Sequence, residues 1–209
     1  MKKRNLGNTN IKLTSIGFGG APLGNLFEEL NEIDCFEIVK SCFENNINLY
    51  DTSPLYGYGL SEHRIGNFIK TVDPKSYYLS TKVGRYLTPE RNYYKDGKFK
   101  GHINFIPHFD YSYDGVMRSF DQSIHRLAVP EIDICLIHDV DRYTFGNEVD
   151  HYFKIAMNGA YKALNDLKEQ KVIKAIGVGL NDADICARFA NEGDFDCMLL
   201  AGRYTLLDQ

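Results

Sequence analysis

Ile132-Asp133-Ile134-Cys135-Leu136-Ile137-His138 is a short, nearly continuous apolar run that ends on a polar residue. A run of that length and composition predicts a strand buried on both faces, as in a parallel sheet covered by helices. Working outward, runs of the same kind are predicted at residues 15–21, 47–51, 77–83, 132–138, 173–180 and 195–201. Helices are predicted over 34–45, over 114–127, where Val116, Phe120, Ile124 and Leu127 recur at helical spacing, and as one long element around 149–170. Residues 10–13 add a short N-terminal hairpin arm. Alternating strands and helices are the pattern of stacked βαβ units, so the expected fold is α/β, a (β/α)8 barrel of which about six units are present. No linker, low-complexity tract or repeat interrupts residues 1–209, which are read as a single domain.

Composition narrows the function. With 44% hydrophobic and 25% charged residues the 209-residue chain has an ordinary globular profile. A net charge of −4 gives no global basic field for nucleic acid. The N-terminus Met1-Lys2-Lys3-Arg4-Asn5-Leu6-Gly7 lacks the apolar stretch of a signal peptide, and no run is apolar and long enough to span a membrane. The expected setting is cytoplasmic, with neither nucleic acid nor membrane as partner. The five cysteines are scattered without a C-x-x-C pair and are expected to be reduced and mostly buried, Cys35 and Cys42 sharing one helix face.

Polar residues mark the C-terminal ends of three strands. Asp51 ends the second strand, Lys82 lies near the end of the third, and His138 ends the fourth. In a parallel barrel these C-terminal ends converge on one face, so the three are expected to share a site. Each taken singly is equally a helix cap or a surface pair. Tyr56, five residues past Asp51, supplies the chemistry. A phenol titrates near pH 10, too weakly acidic for most proton transfers at neutral pH. A buried ammonium lowers that value, and a carboxylate keeps the ammonium charged. Lys82 and Asp51 fit those parts, and His138 would orient a carbonyl oxygen and stabilise charge developing on it.

These segments resemble the aldo-keto reductase superfamily along essentially the whole chain. Ile16-Gly17-Phe18-Gly19-Gly20-Ala21 resembles its first strand, and Asp51-Thr52-Ser53-Pro54-Leu55-Tyr56-Gly57 its second-strand signature. Ser80-Thr81-Lys82-Val83-Gly84 and Leu136-Ile137-His138-Asp139 resemble its lysine and histidine strands. Phe109-Asp110-Tyr111-Ser112 and Ala201-Gly202-Arg203-Tyr204-Thr205-Leu206-Leu207 are similar to the aldose 1-dehydrogenase branch, which includes D-threo-aldose (L-fucose) and pyridoxal dehydrogenases. The resemblance implies hydride transfer between NADP or NAD and an aldose or related carbonyl or alcohol. Tyr56 would be the general acid/base with Asp51, Lys82 and His138, and no metal is needed.

For the cofactor the resemblance implies Gly19, Gly20, Asp51, Gly179 and Asn181, although Gly179-Leu180-Asn181 stands where the family usually has a Ser-Asn pair. The two early glycines equally fit the relief of crowding at a barrel corner. The series Gly17, Gly19, Gly20, Gly24 is not a dinucleotide fingerprint, because Pro22 breaks the spacing of a Rossmann sheet. His102, His108 and Asp110 form no recognised metal-ligand pattern, and His63, His125 and His151 are expected to face solvent. Residues 84–112 are too long for a plain βα loop and are expected to carry their own structure, with a tight turn at Asp96-Gly97. Its aromatics either stack on a ligand or form a small local core. A complete barrel has about 250 residues, so a second function class stays open beside the enzyme, a C-terminally truncated, catalytically impaired barrel that binds nucleotide or a partner. The first and sixth strands are expected to be the open edges of the sheet.

Overall fold

Short polar residues start the helices that follow the strands, and this fixes where each strand ends. Asn31, Ser112, Asp141 and Asp182 each accept a hydrogen bond from a first-turn backbone N–H, at 2.8, 3.1, 2.9 and 3.1 Å. The computed structural model describes residues 1–93, 97–203 and 205–207. Its strands are β1 (Lys3–Asn5), β2 (Lys12–Thr14), β3 (Phe18–Gly19), β4 (Leu49–Asp51), β5 (Tyr78–Val83), β6 (Arg85–Pro89), β7 (Phe105–Phe109), β8 (Ile134–His138), β9 (Ala175–Leu180) and β10 (Cys197–Leu200). The helices are α1 (Glu32–Glu44), α2 (Leu60–Ile69), α3 (Tyr113–Leu127), α4 (Arg142–Phe145), α5 (Val149–Asn158), α6 (Ala160–Glu169) and α7 (Ala183–Glu192).

Six strands form one parallel sheet in the order β10-β9-β8-β5-β4-β3, so among the described residues its edges are β3 and β10. All six correspond to predicted strands. The first is much shorter than residues 15–21, however, and pairs only through Phe18 and Gly19. β1 and β2 form the antiparallel N-terminal hairpin. The pleat divides the sheet into two faces. Tyr50, Leu79, Val83, Cys135, Ile137, Ile176, Val178 and Leu180 enter a core shared with the helices, including Cys35 and Val39 of α1. On the other face Ile134, Leu136 and Ala175 pack with Ile11, against Leu49, Tyr78, Cys197 and Leu199. Asp51, Lys82 and His138 continue this second face at the C-terminal strand ends.

One expectation changes and another is met. The long helix over 149–170 is broken between α5 and α6 at Gly159, where a side-chain carbon would stand 2.4 Å from the carbonyl oxygen of Tyr111. Helical periodicity carries across the break, so only the close approach of the chain before α3 reveals it. Residues 84–112 do have structure of their own, the antiparallel pair β6 and β7. Gly84 makes the bend into it at φ +102, a conformation that favours glycine. The expected Asp96-Gly97 turn lies outside the described residues, which omit 94–96.

All five cysteines are free, Cys35, Cys135 and Cys186 being buried. His63, His125 and His151 are exposed. Among the described residues no helix is long and apolar enough to cross a membrane.

Candidate active site

Register brings the strand-end residues together. Asp51 pairs across from Ser80, Lys82 from Leu136 and His138 from Gly179. Lys82, only 1% exposed, donates from Nζ to Asp51 Oδ2 at 2.6 Å and to the Thr52 carbonyl at 2.8 Å. Ser80 Oγ donates to the other Asp51 oxygen at 2.8 Å. A buried ammonium survives only with such partners. Burial opposes the charge on Lys82, but the Asp51 carboxylate and Tyr56 outweigh it, and its pKa is raised.

Tyr56 reaches this group from the loop after β4. Lys82 Nζ lies 4.7 Å from the centroid of its ring, and the ring meets His138 edge-on at 5.9 Å and 87°. Asp51, Tyr56, Lys82 and His138 therefore form one cluster. One expectation reverses. Burial pushes the Tyr56 phenol above its ordinary value, and Lys82 offsets this only partly, so the pKa is raised rather than lowered. The sequence shows the ammonium but not how dry the phenol is.

His138 is held by residues the sequence reading passed over. Its Nδ1 lies 3.0 Å from Ser53 Oγ and 3.0 Å from Arg85 Nη1, and Arg85 Nη2 donates to Asp139 Oδ2 at 2.9 Å. Burial first, then the charges of Arg85 and Lys82, holds the imidazole well below its ordinary pKa. The signal was there, since Arg85 and Asp139 stand just beyond the lysine and histidine strands. A charge beyond a strand end reads as loop until the fold turns it inward.

The glycines divide. A side-chain carbon at Gly20 would press on Ser61 Oγ at 2.7 Å and the Asp51 carbonyl oxygen at 2.8 Å, which is the crowding explanation. At Gly19 it would meet no atom within 4 Å, and Gly19 lines a cavity of about 490 Å³ with Gly17, Phe18, Asp51, Tyr56 and Leu199. Gly179 packs on Lys82, where a side-chain carbon would stand 3.1 Å from Lys82 Cε. Asn181 belongs to a neighbouring network, donating from its backbone to Asp141 at 2.9 Å and from its side chain to Asp141 at 3.2 Å and Asp139 at 3.4 Å.

The loop aromatics pack partly on one another, as Tyr86 stacks on His108, and partly on rings outside the loop, as Tyr93 does on Tyr58, while Phe99 reaches Tyr56 with ring centroids 6.2 Å apart. His102, His108 and Asp110 go to separate partners: Ile103, Thr88 and Ser112.

Comparison with known proteins fits this arrangement. Pyridoxal 4-dehydrogenase of Microbacterium luteolum is 40% identical over 220 residues, covering 100% of this chain and 64% of that protein. D-threo-aldose 1-dehydrogenase of a Pseudomonas species is 33% identical over 204 residues, covering 95% of this chain and 60% of that protein. The chain thus spans about three-fifths of the length of these relatives. The holo form of an aldo-keto reductase from Bacillus halodurans superposes with a TM-score of 0.71 at 23% identity, over 96% of this chain and 57% of that one, and so shares the fold. The Aldo/keto reductase family profile matches residues 15–209. A profile match that takes in every strand of the sheet and all four clustered side chains makes this chain a member of the aldo/keto reductase family.

Proposed function

We propose that the protein, as part of its complete barrel, is an NAD(P)-dependent oxidoreductase acting on an aldose or a related carbonyl or alcohol, with Tyr56 as the general acid/base. The observation that carries this is the Lys82 ammonium, bound to Asp51 at 2.6 Å and 4.7 Å from the Tyr56 ring.

The residues present fit a nicotinamide. Gly19 puts no side chain into the cavity it lines beside Asp51 and Tyr56, so a flat ring could approach its backbone. Gly19, Gly20 and Asp51 would hold it there, with Gly179 and Asn181 toward β9. The nicotinamide supplies or accepts the hydride. Tyr56 moves the proton: its phenolic oxygen gives one to a carbonyl oxygen during reduction and takes one from the hydroxyl during oxidation. His138, edge-on to Tyr56, orients that oxygen. Because burial raises the phenol pKa, Tyr56 is protonated at neutral pH and is ready as an acid. Oxidation should therefore quicken as pH rises, while reduction slows only in the alkaline range.

The names of the relatives support aldoses and pyridoxal as substrate classes. The test is to follow nicotinamide absorbance with free aldoses, pyridoxal and simple aliphatic alcohols, using NAD+ and NADP+ in turn. D-threo-configured or L-fucose-like aldoses are expected to react faster than the alcohols. Pyridoxal turnover alone would move the substrate class. Dinucleotide binding without turnover of any substrate would favour the binding-protein reading.

A further inference from the structure

We infer that Arg85 is a positioning residue: it fixes His138 as the neutral tautomer that accepts at Nδ1 and carries its proton on Nε2. The tautomer follows from geometry alone, and its catalytic consequence rests on the function proposed above.

An imidazole Nδ1 can be donor or acceptor, and its partner decides which. Ser53 by itself decides nothing. Its hydroxyl, 3.0 Å away, can donate to Nδ1 or accept from it, and the same oxygen already accepts from the Leu55 N–H at 3.1 Å. Arg85 is different. A guanidinium has only donors and keeps its charge at every accessible pH. With Nη1 at 3.0 Å, a proton on Nδ1 would point at another N–H. The proton is therefore left to Nε2.

Arg85 can enforce this because it cannot turn away. It is 5% exposed, its second nitrogen is bound to Asp139 Oδ2 at 2.9 Å, and its guanidinium carbon sits 4.3 Å over the Phe109 ring. Its carbonyl accepts from Ser119 Oγ at 2.6 Å. Asp139 takes an uncommon left-handed backbone, φ +52, one residue past the histidine. Its carboxylate faces Nε2 at 3.4 Å, so a substrate oxygen that comes closer would take the Nε2–H in its place. The charged and titratable groups facing the ring are thus Arg85 from β6, Lys82 from β5, Tyr56 from the loop after β4 and Asp139 beyond β8. Asn181, beyond β9, donates to Asp139.

The experiment is two-bond proton–nitrogen correlation on the 209-residue chain labelled with 15N-histidine, the six histidines being told apart with His138→Gln. His138 should show a protonated Nε2 and a bare Nδ1 from about pH 8 down to about pH 5, through the range where a free histidine titrates. A protonated Nδ1, or an imidazolium within that range, overturns the inference in the wild-type protein itself. Arg85→Met should then populate the second tautomer or let the ring charge in acid. It should also lower kcat by at least about tenfold, as a wrong tautomer does elsewhere, with little change in dinucleotide affinity. Arg85→Lys, which keeps a donor and a charge, should restore part of both signals. A folded Arg85→Met protein that retains the single Nε2–H tautomer also overturns it. The spectra need no turnover. If Tyr56→Phe left activity intact while His138 behaved as stated, the functional reading would fall and the role of Arg85 would stand.

Discussion

Two ion pairs are anchored one residue apart on β5, on opposite faces. Lys82 turns toward the strand-end cluster and binds Asp51 at 2.6 Å. Thr81 turns toward the helices and donates to Glu62 at 2.9 Å, and Glu62 of α2 is bound in turn by Arg126 of α3 at 2.5 Å. Both pairs are buried, with Glu62 0% exposed. They differ in what lies alongside. Ser123 joins the Arg126 pair as one more hydrogen-bonding partner, at 3.1 Å, whereas a phenol and an open cavity flank the Lys82 pair. A buried ion pair is thus not by itself a sign of chemistry. What matters is whether its charge is spent on packing or left facing a group that can exchange a proton.

The largest expected effect tests the helix-side pair. Arg126→Met strands the Glu62 carboxylate in the core and should cost about 3–5 kcal/mol of stability, read by chemical denaturation, while kcat of the folded fraction stays within about twofold. A comparable fall in kcat would erase the distinction between the faces. Tyr56→Phe should do the reverse, lowering kcat by at least about a hundredfold with melting temperature and cofactor affinity nearly unchanged. Near-normal turnover would remove Tyr56 from its role. Lys82→Met should be comparably damaging to kcat. It should also move the rise of the oxidation rate to higher pH, because burial then acts on the phenol without its offset; an unmoved profile would show that the ammonium does not tune Tyr56.

The smallest effect concerns the field on the site side. Lys82 and Arg85 add to burial in holding His138 well below its ordinary pKa of 6.5. The unfolded chain takes up this proton near that pH and the folded chain does not. Stability from this source is complete above pH 6.5 and falls below it, by up to about 1.4 kcal/mol per pH unit. The raised carboxyls of Asp133 and Asp139 work in the opposite sense. Comparing unfolding free energies of wild type and His138→Gln between about pH 6.5 and pH 5 isolates the histidine. Equal slopes in the two proteins would assign the uptake elsewhere.

The sheet was legible because its strands are covered on both sides. The run ending at His138 could not be anything exposed, and a polar residue closing such a run marks the strand end that faces the site. Position in the chain also located Tyr56. What stayed hidden depends on contacts between distant segments. Arg85 and Asp139 meet only because the chain bends at Gly84 and again at Asp139, and Gly159 is a break only because Tyr111 passes behind it. The sign of the Tyr56 shift was hidden likewise, since desolvation is set by everything packed around the ring rather than by its sequence neighbours.

The strand order carries a last consequence, for which parts of the molecule open first. Lys82 and His138 stand on β5 and β8, the two innermost strands, while Gly19 lies on the edge strand β3 and Gly179 on β9 next to the other edge. Fraying in a sheet begins at its margins, where each strand has one neighbour, and reaches the middle only with global unfolding. Amide protons of β5 and β8 should thus be the last to exchange with solvent, and those of β3 and β10 the first. Among the described residues, then, the strands carrying Lys82 and His138 keep their places on a timescale at which β3 and β10 open.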